Sequence, residues 1–138
     1  MEYLHASEQL YGLQVTIIVG EYDRQDFDKI LKELDPNSEP ETFGDGNEDG
    51  AKGRCWDCGH KQLLWVGSHP SDDFDQCTAT TAHELVHAAF GSAESIGFTD
   101  HLKTQEFHAY YVAWAIRRYL EWTYTLNNKS DKEDLKLL

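Results

Sequence analysis

Thr80 to Phe90 reads TTAHELVHAAF, with His83 and His87 four residues apart and Glu84 directly after the first. On a helix, positions i and i+4 lie on one face, so the two imidazoles can bind one metal ion together. Glu84, beside the first of them, can reach a water held by that ion. Zinc lowers the pKa of such a water toward neutrality, and the glutamate takes its proton as the water attacks a polarised carbonyl. The pattern predicts Zn2+-dependent hydrolysis, with His83 and His87 as metal ligands and Glu84 as general base. The opposing reading is an amphipathic helix whose histidines are satisfied by ordinary hydrogen bonds. Ala82, Leu85, Val86, Ala88, Ala89 and Phe90 are apolar or small, which predicts a helix inside the protein. A buried face carrying two histidines and a glutamate is costly without a partner such as a metal.

The third ligand decides the subclass. A metzincin would need Gly at position 90 and His at position 93, where this chain has Phe90 and Ala93. Eighteen residues separate His87 from Glu106 in the downstream stretch GFTDHLKTQEFHAYYVAW. Here the sequence resembles the gluzincins, the thermolysin-like zinc peptidases, in which a glutamate ligand on the next helix follows the histidine motif at about this distance. TAHELVHAAF and QEFHAYYVAW are also similar to small HExxH proteins encoded by bacteriophages and prophages, in which a strand, the motif and a helix opening ExxAY follow one another. Glu106, Ala109 and Tyr110 match that opening. The resemblance spans roughly residues 63–114. It implies an α+β, minimal zincin-like domain: a small twisted sheet, an active-site helix and a C-terminal helix bearing Glu106. It also implies a cytoplasmic, phage-encoded zinc metallopeptidase acting on peptide or protein substrates. A weaker resemblance to SprT-like proteases would make His101 the third ligand, since Lys103 stands where their third histidine belongs.

The resemblance has departures. Tyr110 replaces the aspartate that supports a ligand histidine in thermolysin-like enzymes, and their large C-terminal domain, with its oxyanion donors, has no counterpart. Tyr110, Tyr111, His108 and His101 are the candidate donors to a tetrahedral oxyanion in this chain, with Tyr110 and His108 foremost. Core packing is the competing fate of the tyrosines.

The elements that must position these groups can be read from periodicity. Residues 13–20, LQVTIIVG, are β-branched and apolar and predict a buried strand. Residues 23–34 place Phe27, Ile30, Leu31 and Leu34 at helical spacing behind acidic residues. Residues 35–53 are rich in Pro, Gly, Asn and acids and predict a loop. Within it DGNEDG, from Asp45 to Gly50, matches half of a calcium loop, but Trp56 occupies the position of the bidentate glutamate. Residues 63–66 predict a strand, with 54–56 able to pair with it across a turn at 57–59. The strand 63–66 lies just before the expected active-site helix, where a zincin's edge strand would pair with an extended substrate. A helix is expected over 74–94, capped by Ser71 or Asp72 and ended near Gly97. A last helix is expected over 104–126. Residues 1–12 and 127–138 read as flexible ends of a single domain, 1–138.

Cys55, Cys58 and His60 form a CxxCxH cluster, which needs a fourth zinc ligand that only Cys77 could offer among cysteines. Plain thiols are the alternative. Three cysteines argue against a disulfide-built secreted domain, and the first twelve residues lack the basic start and apolar run of a secretory signal. Both point to the cytoplasm. The chain has 138 residues, 40% of them hydrophobic, enough for one core. Its formal charge of −13 opposes binding to nucleic acid and anionic membrane. That charge also carries the rival reading, a non-enzymatic phage or host-interaction protein. Its acidic surface would imitate DNA or bind a basic protein partner, and its zinc would only be structural.

Overall fold

The computed structural model describes residues 2–37, 52–100 and 102–136. The acidic segment 38–51, with its half calcium loop, and His101 lie outside the described residues. The elements are β1 (Glu2–Glu8), β2 (Leu13–Val19), α1 (Arg24–Leu34), β3 (Gly53–Cys58), β4 (Lys61–Val66), α2 (Phe74–Ser95) and α3 (Gln105–Lys136). The class is α+β. One mixed sheet has the order β1-β2-β4-β3, with β2 and β4 parallel and both outer pairs antiparallel. β1 and β3 are therefore the edges, and residues 63–66, expected to be the substrate-pairing edge, lie instead in the central strand β4, paired on both sides.

β2 and β4 are central and covered on both faces, which is why they read as unbroken apolar runs. Alternation then divides their side chains. Val15, Ile17, Val19, Leu64 and Val66 pack with Leu85, Ala88 and Ala89 of α2 and with Phe107, Tyr111, Ala115 and Tyr119 of α3. Ile18, Leu63 and Trp65 face the other way and pack with Tyr22 and with Phe27 and Leu31 of α1. Asp23 caps α1, its carboxylate accepting from Gln25 N at 2.8 Å and Asp26 N at 3.3 Å.

α2 is capped by Asp73, whose carboxylate accepts from Gln76 N at 3.1 Å, so the start lies slightly beyond the expected Ser71 or Asp72. Its end is a Schellman motif. Phe98 N donates to Ala93 O at 2.8 Å and Gly97 N to Glu94 O at 3.1 Å, with Gly97 at φ 90°.

Two corrections concern the ends. Residues 2–8, expected to be flexible, form an edge strand with seven residue pairs to β2. Leu4 and Ala6 join the helix-side core, but two small apolar anchors among polar residues give a faint pattern. The last helix, expected to end at 126, continues to Lys136. No Gly or Pro interrupts it, so a polar sequence can still extend the hydrogen-bond ladder.

Candidate functional site

α2 presents the motif at its border with the edge strand β3. His83 and His87 are exposed, with ring centroids 5.2 Å apart and planes at 70°. Glu84 is rotated about a quarter turn toward β3 and is only 6% exposed. The expectation of a wholly buried motif is thus met by the glutamate alone. Leu85, Ala88 and Ala89 take the core side of the helix, while Val86 and Phe90 share the solvent side with the histidines.

Glu84 lies beneath the start of β3. A Cβ added at Gly53 would lie 3.1 Å from Glu84 Cγ and 2.7 Å from Thr80 Cγ2, so only glycine fits there. Two residues along the same face of β3, burial and then the nearby charge of Glu84 push the Cys55 thiol up to about 12. Yet the Glu84 carboxylate makes no hydrogen bond or ion pair with any of the described residues. Its oxygens are not among the buried unpartnered side-chain atoms, so the carboxylate opens on the adjoining cavity. Its cavity, about 420 Å3, is lined by Lys52, Gly53, Gln76, Ala79, Thr80, His83 and Glu84. A larger groove of about 690 Å3 runs between β1 and α3, away from the motif.

The ring centroids of His83 and His87 stand 5.2 Å apart, the ordinary spacing of i, i+4 neighbours on one helix face, and two imidazoles so placed could share one metal ion. The expected third ligand, Glu106, is exposed in the first turn of α3. It is not drawn in with the histidines: among the described residues no group of three or more His, Cys, Asp or Glu side chains is gathered to hold a metal. Its helix does begin close by, because His108 stacks on Phe90, one turn beyond His87, with ring centroids 4.5 Å apart.

The tyrosines have other partners. Tyr110 Oη donates to Glu8 Oε1 on β1 at 2.7 Å, and that bond to a carboxylate, with burial, pushes the phenol up to about 12. Tyr111 is fully buried, and burial raises its pKa further; its hydroxyl and that of Ser92 are buried without hydrogen bonds of good geometry. Of the described oxyanion candidates, His108 is the one at the motif's end of α2.

The cysteine cluster does not converge. Strand alternation sends Cys55 to the α2 side and Cys58 to the α1 side, where it packs against Trp65 and its neighbours. Cys77 is buried within α2, and all three thiols are free. Lys52, Gln76 and Thr80 were not singled out from the sequence. Gln76 and Thr80 could have been, since 76, 80, 83 and 87 share a helical stripe. Lys52 could not, because only the β3–β4 register brings it to the cavity.

No protein-family model, curated protein or solved structure matches this chain. Among the described residues, no helix is long and apolar enough to cross a membrane.

Proposed function

We propose that this chain is a zinc-dependent metallopeptidase of the cytoplasm, gluzincin-like in its ligand set. One observation carries the reading: Glu84, only 6% exposed and without a side-chain partner among the described residues, opens on a cavity beside two solvent-facing imidazoles on one helix face. His83 and His87 would hold the metal, with Glu106 of the neighbouring helix as the proposed third ligand. Zinc, when bound, supplies a Lewis acid that polarises the scissile carbonyl and acidifies water. Glu84 accepts the proton of the attacking water at its carboxylate and passes it to the leaving amine. The edge strand β3 orients an extended peptide by strand addition. His108 is the proposed donor to the developing oxyanion, while Tyr110 anchors α3 to β1.

The formal charge of −13 supports a second reading, an acidic interaction protein with a structural zinc. A structural site closes with four protein ligands and has no use for a neighbouring base. Metal analysis of protein purified without added zinc, together with hydrolysis of an unfolded protein substrate, tests the proposal. Bound zinc with hydrolysis abolished by a chelator is the expected result. Bound zinc with no hydrolysis, and tight binding to a basic protein, would favour the second reading.

A further inference from the structure

The cavity beside Glu84 holds a second group without a side-chain partner among the described residues. Lys52 lines it, is exposed, and makes no ion pair or side-chain hydrogen bond with any of the described residues. Lys52 and Glu84 line one cavity of about 420 Å3 and yet do not pair with each other. The root of Lys52 is fixed, because its carbonyl accepts from Gly67 N at 2.8 Å, tying it to the end of β4. The wall beside it is made small by Gly53 and Ala79. The Gln76 amide nitrogen is committed to Thr80 Oγ1 at 2.9 Å. Among the described residues lining the cavity, the Lys52 ammonium is then a cationic donor left without an acceptor.

We infer that this cavity is a carboxylate-binding subsite, in which Lys52 recognises an acidic side chain or a free C-terminal carboxylate of a peptide laid along β3. The inference rests on the peptidase reading for its place next to a scissile bond, but not for the binding itself. The charge of Glu84 opposes an anion here, so a substrate carboxylate is tolerated only within reach of Lys52. Because Lys52 is exposed, the preference is modest, about fivefold, the scale of a partly exposed ion pair. It weakens as salt is raised.

The test uses the full zinc-loaded chain and three fluorescent peptides of one backbone: neutral with an amidated end, neutral with a free C-terminal carboxylate, and Glu-containing with an amidated end. kcat/KM is measured for wild type, Lys52→Met and Lys52→Glu, and binding is measured by anisotropy on Glu84→Gln with and without Lys52→Met. The expected result is an approximately fivefold preference for one or both carboxylate peptides, lost in Lys52→Met and reversed in Lys52→Glu. The peptide that gains identifies the source of the carboxylate. If wild type hydrolyses nothing but binding retains the Lys52-dependent preference, the subsite stands and the peptidase reading falls. If hydrolysis is robust and Lys52→Met changes neither kcat/KM ratios nor binding, the subsite is overturned and the peptidase reading stands. Absence of binding to all three peptides overturns it as well.

Discussion

The carboxylate of Asp57 on β3 lies directly over Gly91 of α2: a Cβ at position 91 would sit 2.8 Å from Asp57 Cγ and Oδ2. The carboxylate cannot easily withdraw. Its Oδ1 accepts from Gln62 Nε2 at 2.7 Å and from Gly59 N at 3.0 Å. This contact sets the distance between the edge strand and the helix that carries the histidines. Gly91→Ala gains roughly 0.5–1 kcal/mol in helix propensity but overpacks a held group, which costs about 1–3 kcal/mol. The expected net effect is destabilisation by about 1 kcal/mol, read from urea denaturation. A more stable variant would show that Asp57 is free to move.

Glu84→Gln separates stability from chemistry. The amide is nearly isosteric and less costly to bury than an unpartnered carboxylate. Metal-free Glu84→Gln is therefore expected to be more stable than wild type by about 1 kcal/mol, the trade expected at an active site. Zinc content should be unchanged, while peptide hydrolysis falls by about 10²-fold or more. Unchanged hydrolysis would remove Glu84 from the mechanism.

His83→Ala and His87→Ala should each abolish stoichiometric zinc and leave the fold intact, since both side chains face solvent and neither fills the core. Circular dichroism and inductively coupled plasma analysis read the two effects. Glu106→Gln should weaken zinc retention without removing it. A chelator should lower the melting temperature only by the linkage amount set by zinc affinity. Collapse of the fold in His83→Ala would instead make the metal a structural staple.

Glu8 predicts an acid-sensitive component of stability. Burial alone would raise its pKa. The hydrogen bonds from Tyr110, Tyr11, Leu10 and Leu13 outweigh that and hold it below the ordinary value of 4.5. A carboxylate whose folded pKa is depressed contributes stability that is fully present above the unfolded value and lost as pH falls through the folded one. Glu8→Gln should therefore cost about 1 kcal/mol at pH 7, and the gap to wild type should close below pH 4. A gap that is constant with pH would mean the contacts, and not the charge, matter.

Periodicity made β2, β4 and α1 legible, because their buried stripes are written in Val, Ile, Leu and Phe, whereas α2 was read from its motif and caps and β3 from the turn that follows it. β1 was not, since it is an edge strand whose partners supply most of its burial and whose own anchor is the polar Glu8. The motif itself was legible from three residues. The exposure of Val86 and Phe90 was not, because apolar content alone does not tell which side of a helix a sheet will cover. Nor was the commitment of Tyr110 to Glu8, a pairing across the whole domain that leaves no local trace.

That hydrogen bond joins residues 102 positions apart, and it has a consequence for biosynthesis. β1 and β2 emerge early and can form their hairpin at once, but the turn carboxylate gains its Tyr110 bond only after α3 has been made. At about 5–20 residues per second, translation leaves the β1 side of the sheet without its covering helix for several seconds. The nascent sheet must wait uncapped on that side, and chaperone contact during synthesis should concentrate there.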